Sequence, residues 1–253
     1  MSGPGARDEG LPGLKPAEME VFPDEDALSE AAAALIAAQA MAAIRARGHF
    51  LWALAGGRTP ARTYARLAKS PFREQIDWGK VEIFFGDERC VPPDDPLSNY
   101  RLAEEKLLSR VPLPAAQVHR LACEHNPEEE ARRYEALLQR IFQGRAWGFD
   151  LALLGLGADG HTASLFPGLT PPAGAWVAAV ARPGESFRRL TLTPEVLNLS
   201  RLVVFLVTGR DKAQTLRAVL TGEEAMAASP VHLLRPPAGE IRWLADQEAA
   251  ALL

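Results

Sequence analysis

The chain predicts an α/β fold: an open, mostly parallel twisted sheet with helices on both faces. Short apolar runs alternate with segments of helical periodicity, the pattern of successive β-α units. Two of these runs, Leu151–Leu154 and Leu202–Val207, are apolar at every position, as strands buried on both faces of a parallel sheet are. The runs then break abruptly into glycine, hydroxyl and charged residues, which suits loops leaving the carboxyl ends of such strands.

The elements follow in order. An alanine-rich run, Ala31–Ile44, reads as a packed helix, because alanine has the best helix propensity. Interrupted by Gln39, it falls short of the ~20 residues that span a bilayer. His49–Ala55 reads as a strand. Gly56-Gly57-Arg58-Thr59-Pro60 leads from it into a helix over Ala61–Lys69, with Thr59 as N-cap and Pro60 at the first helical position. Val81–Phe85 is a second strand, ending at Gly86-Asp87-Glu88-Arg89. Ser98 caps a helix over Ser98–Leu108. Asn126-Pro127 starts another, whose Glu128, Glu129 and Glu130 suit the positive end of the helix dipole. Leu202–Val207 runs through Thr208-Gly209-Arg210-Asp211-Lys212 into a helix over Ala213–Leu220, and Ile241–Leu244 precedes an alanine-rich end. No repeat or long linker interrupts this alternation, so residues 18–253 read as a single α/β domain. Residues 1–17, rich in Gly and Pro, read as a flexible N-terminal tail.

Bulk properties narrow the function classes. Hydrophobic residues make up 47% of the 253 positions and charged residues 24%, which is ordinary for a soluble globular protein. The net charge of −4 offers no basic field for nucleic acid. No positive segment followed by an apolar core marks a signal peptide, and neither nucleic acid nor membrane is expected as a partner. Cys90 and Cys123 form no CxxC pair, no disulfide framework is expected, and the simplest compartment is a reducing cytoplasm. His49, His119, His125, His161 and His232 show no ligand-like spacing, so no metal site is expected.

The chemistry gathers at four strand ends. Phe149–Gly168 is the most informative stretch: an apolar strand breaks into Gly155, Gly157 and Gly160, with Asp159 and His161 two residues apart. An imidazole delivered there beside a carboxylate is a general-base candidate. The alternative is a helix N-cap at Asp159 and an incidental histidine. Gly56, Gly57 and Thr59, with Arg58, place amides, a hydroxyl and a guanidinium at a helix start, an anion site that is neither a P-loop nor a GxGxxG turn. An ordinary β-to-α turn with a surface arginine is the plainer reading. At Gly86-Asp87-Glu88-Arg89 two carboxylates and an arginine leave a strand together, as a site or as a structural ion pair. In the fourth loop Lys212, with Arg210 before it, suits a phosphate as a point charge, although exposed lysines commonly just solvate. Recurrence at successive strand ends points to a phosphorylated small molecule.

Taken together, LAGGRTP (54–60), FFGDERCVPPDDPLSNY (84–100), LLGLGADGHTASLFPG (153–168) and VTGRDKA (207–213) closely resemble the 6-phosphogluconolactonase family. The pieces run in that family's order. The resemblance implies a Rossmann-like fold shared with glucosamine-6-phosphate deaminase and ribose-5-phosphate isomerase. It also implies a monomer or weak homo-oligomer that needs no cofactor and acts on a sugar-phosphate lactone. The reaction implied is hydrolysis of 6-phospho-D-glucono-1,5-lactone, the second step of the oxidative pentose phosphate pathway. His161 would be the base, Asp159 its support, and Arg89 the cation for the oxyanion or for the phosphate. Gly56, Gly57, Thr59 and Lys212, with Arg210 or Arg58, would hold the 6-phosphate, with Asp87 and Asn99 lining the sugar. Arg58 departs from the family, where many relatives carry serine.

Two alternatives compete with this reading. A glucosamine-6-phosphate deaminase resembles the Asp-Gly-His loop but typically adds an acidic residue shortly after the histidine, and Thr162–Pro167 contain none. A non-catalytic sugar-phosphate sensor normally adds a helix-turn-helix region, for which the chain before Ala27 is too short.

Overall fold

The computed structural model describes residues 18–253, so the N-terminal tail expected over 1–17 lies outside the described residues. The chain opens with strand β1 (Glu18–Phe22) and helix α1 (Glu25–Arg47), whose N-cap Asp24 accepts the amides of Asp26 and Ala27. There follow β2 (Phe50–Leu54), α2 (Arg58–Leu67), a short α3 (Phe72–Gln75), β3 (Val81–Phe85) and β4 (Asp87–Arg89). Then come α4 (Asn99–Lys106), α5 (Pro127–Phe142), β5 (Leu151–Gly155), β6 (Val177–Ala181) and β7 (Arg188–Leu192). A short α6 (Pro194–Leu197), β8 (Leu202–Val207), α7 (Ala213–Thr221) and β9 (Glu240–Asp246) complete the order.

Six strands pair in parallel in the order β1-β9-β8-β5-β2-β3. Every residue of β2 and of β8 is buried. Side chains alternate between faces along a strand, so complete burial means that both faces are covered. The direction of strand addition reverses between β2 and β5: the chain first adds β3 on one side of β2, then returns to add β5 on the other. Such a reversal opens a crevice at the carboxyl ends of the two strands.

α1 outruns the Ala31–Ile44 stretch, reaching 23 residues, long and apolar enough by length and composition to cross a membrane. Here it is a core helix: Leu28, Ile36, Ala40 and Ala43 are buried, and it packs on α2, β1, β2 and β9. Buried Asp150 ties its last turn to the sheet by accepting Arg47 Nη2 at 2.6 Å and the Leu51 amide at 2.8 Å. Tyr64 of α2 donates its hydroxyl to the Ala55 carbonyl at 2.7 Å and accepts the Ala55 amide at 3.0 Å, locking helix to strand end. Burial pushes that hydroxyl far above the ordinary tyrosine range, so it stays a neutral donor.

Three features depart from the sequence expectations. A second, antiparallel sheet, β4-β7-β6, packs beside the first; its strands DER and RRLTL are too short and polar to announce themselves. β1 was not anticipated either, because its EMEVF pattern is mostly exposed at a sheet edge. Third, Cys90 and Cys123 are joined in a disulfide across 33 residues, against the expectation of no disulfide. The loop before α5 runs alongside β3, with the His119 amide donating to the Ile83 carbonyl, and this carries Cys123 up to the end of β4. Spacing alone could not show that approach, and the cysteines therefore give no argument for a reducing compartment.

Candidate active site

The loop leaving β5 is a closed turn. The Gly157 amide donates to the His161 carbonyl at 2.8 Å, and the Gly160 amide donates to the Gly157 carbonyl at 3.0 Å. This closure folds Asp159 back onto His161: one carboxylate oxygen, Oδ1, accepts the His161 amide at 3.2 Å and meets the ring Nδ1 in a short contact. A side chain on Gly157 would collide with that same Nδ1 and with Asp159. Two hydroxyls from the C-terminal part of the chain hold the turn: Ser229 donates to the Gly160 carbonyl and Thr215 to the Ala158 carbonyl, each at 2.7 Å. Burial raises the Asp159 carboxyl, but its contacts with the His161 side chain and backbone amide, joined by a smaller contribution from the Arg182 charge, outweigh this and hold it below its ordinary value. It is thus an anion at neutral pH, with Arg182 Nη2 on its second oxygen at 3.0 Å.

At the end of β2 the expectation for Thr59 shifts by two residues. Gly57, at φ 105°, is the N-cap, the helix starts at Arg58, and Thr59 stands in the first turn. Its hydroxyl meets that of Thr208 at 2.6 Å, so the β2 and β8 ends touch through a hydroxyl pair. The first-turn amides remain without a side-chain cap, which leaves them open to an anion. Arg58 leans outward, 72% exposed, and pairs with Glu25 at 3.2 Å.

The β3 end divides its charges between structure and site. Glu88 is buried and accepts the amides of Arg89, Asn99 and Tyr100 and the Ser98 hydroxyl. Burial pushes its carboxyl up, partly offset by those amide donors. Asp87 accepts the Asn99 side-chain Nδ2 at 3.0 Å and the Ser164 hydroxyl at 2.6 Å. Arg89 donates Nη1 to the Leu97 carbonyl at 2.6 Å, while its Nε and the Asn99 Oδ1 are buried without a partner. A buried polar atom without a partner is costly to the fold.

These loops enclose a cavity of about 470 Å³, a size that takes a small ligand. Gly56, Gly57, Arg58, Thr59, Asp87, Arg89, Asn99, His161 and Lys212 all line it. Asp159 stands behind His161 rather than in the lining, and exposed Arg210 is not part of the lining, so the structure does not bring it to the others. Lys212 reaches the cavity while pairing with Asp211 at 3.0 Å. Sequence reasoning missed Arg189 and Thr208, which also line it. Arg189 is held by Glu185 through two contacts of 2.7 Å and sits 3.9 Å from Asp87. It arrives on β7, whose pairing with β4 no local pattern reveals. Arginine and lysine outnumber carboxylates around the opening, which suits an anionic ligand. Among the described residues no group of three or more His, Cys, Asp or Glu gathers as a metal site.

A sequence profile of glucosamine-6-phosphate isomerases/6-phosphogluconolactonase matches residues 23–243. A protein of Synechocystis named 6-phosphogluconolactonase is 38% identical over 238 residues, covering 92% of this chain and 96% of that one. Its namesake in Haemophilus influenzae is 36% identical over 201 residues, covering 79% and 86%. The solved structure of 6-phosphogluconolactonase from Trypanosoma brucei superposes with a TM-score of 0.81 at 30% identity, covering 95% of this chain and 99% of that chain.

Proposed function

The chain belongs to the glucosamine-6-phosphate isomerase/6-phosphogluconolactonase family, and on that footing we propose that it hydrolyses 6-phospho-D-glucono-1,5-lactone to 6-phosphogluconate with His161 as general base. The observation that carries this reading is the carboxylate-backed imidazole opening into the same cavity as the uncapped start of α2 and Lys212. With Nδ1 turned to Asp159, Nε2 is the nitrogen left to take a proton from water. The water oxygen bonds to C1 as the proton passes to the ring, and the carbonyl oxygen becomes an oxyanion. The C1–ring-oxygen bond then breaks and the departing oxygen receives the proton from the imidazolium. Arg89, which lines the cavity, supplies positive charge to the oxyanion or to the phosphate. The α2 amides, the Thr59 hydroxyl and Lys212 form the phosphate subsite, and the free Asn99 Oδ1 accepts from a sugar hydroxyl.

The rival deamination would use an acidic group just beyond the histidine; Thr162 to Pro167 supply none, and an assay of ammonia release separates the two reactions. The direct test is acid production from the lactone by the purified protein. His161→Ala should lower kcat by roughly 10²–10⁴-fold with KM largely kept, and near-normal turnover removes His161 from the role of base. Lys212→Ala should mainly raise KM, and an unaltered KM argues against its phosphate contact.

A further inference from the structure

Asp159 is shared. Its Oδ1 faces the His161 ring, and its Oδ2 accepts Arg182 Nη2 at 3.0 Å. Arg182 follows β6 in the small antiparallel sheet, far along the chain from the turn that carries the imidazole. Its guanidinium lies 4.8 Å from the centroid of the Phe166 ring, and that ring packs 5.0 Å from the imidazole. One aromatic side chain therefore fixes both the cation and the ring on either side of the carboxylate. Beyond it, Arg182 Nη1 stands 3.7 Å from Glu185, which in turn grips Arg189. Charges thus alternate from the imidazole's carboxylate to the arginine in the cavity wall.

We propose that Arg182 is a positioning residue for the general base: by drawing part of the Asp159 charge away from the imidazole, it keeps the ring free of a proton, and so able to act, at lower pH. An undivided carboxylate favours a protonated ring beside it, and a cation on its far oxygen weakens that pull. The charged groups around this unit are Glu185 from the turn after β6 and, lining the cavity, Arg58, Asp87, Arg89, Arg189, Asp211 and Lys212. Among the described ion pairs of Asp159, its partners are His161 and Arg182. Arg182 is itself outside the cavity lining. The inference rests on the hydrolytic reading of His161.

The test is the pH profile of kcat/KM for lactone hydrolysis, corrected for spontaneous hydrolysis, in the wild type, Arg182→Gln, Arg182→Lys and His161→Asn. In Arg182→Gln the acid limb should move up by about half to one pH unit. Activity on that limb then falls about three- to tenfold, while KM above the limb stays within about twofold of the wild type. Arg182→Lys keeps the charge and should restore the limb. An NMR titration of the His161 ring should move with it. A limb that stays in place while KM rises overturns the proposal and makes Arg182 a substrate contact; a limb that stays in place with KM unchanged overturns it too. An acid limb that survives in an active His161→Asn enzyme removes His161 from the role of general base, and the inference falls with it.

Discussion

The imidazole of His161 occupies volume that any side chain at position 157 would claim. Gly157→Ala should therefore displace the ring and lower kcat by roughly 10²-fold, since a displacement of about 1 Å at the reacting group has that effect. Turnover like that of the wild type would show that the ring has room to spare. Asp159 and His161 were legible as residues two apart after a strand, but their contact was not. It depends on the turn closed by the Gly157 and Gly160 amides. Arg210 shows the reverse: its place beside Lys212 in the chain suggested a shared task, yet the short 3₁₀ turn Arg210–Lys212 separates them, leaving one exposed and the other in the cavity. Residues two apart on such a turn point in different directions.

β4 is three residues long and would not hold its place alone; Glu88 at its centre organises the whole β3-to-α4 connection by accepting three amides and a hydroxyl. Glu88→Gln replaces an acceptor oxygen with a donor nitrogen among those amides and should destabilise the fold by about 1–3 kcal/mol. The pH dependence has a definite sign. Burial raises the folded-state pKa of Glu88 above its unfolded value, so its contribution to stability is complete below the ordinary carboxylate range and is lost as pH rises through the raised value. The gap in unfolding free energy between wild type and variant should be wider near pH 5 than near pH 8, by denaturant titration. An equal or reversed gap would contradict this. Long elements such as β8 and α5 were readable from their periodicity and caps, because local patterns set them. β4 was not, because it exists only through its pairing with β7, and β7 in turn is held between β4 and β6 by partners distant in the chain.

The strand order concentrates the site: loops after β2 and β5 meet at the reversal of the parallel sheet, and the small antiparallel sheet closes the crevice with Arg89 and Arg189. The Cys90–Cys123 disulfide ties the strand bearing Arg89 to the loop before α5. It closes a 33-residue separation, so Cys123→Ser, or reduction, should lower stability by about 2–4 kcal/mol and the melting midpoint by roughly 4–16 °C. Superimposable melting curves with and without reductant would show that the bond adds nothing.

Strand-and-helix alternation, the glycine-broken loops and the acid–imidazole pair are local patterns, and short-range sterics and hydrophobic periodicity suffice to write them into the chain. Which loops share a cavity, which carboxylate is structural and which arginine reaches the crevice are long-range pairings. Thr59 meets Thr208 across 149 residues and Ser164 meets Asp87 across 77, and only burial of a common core brings such partners together.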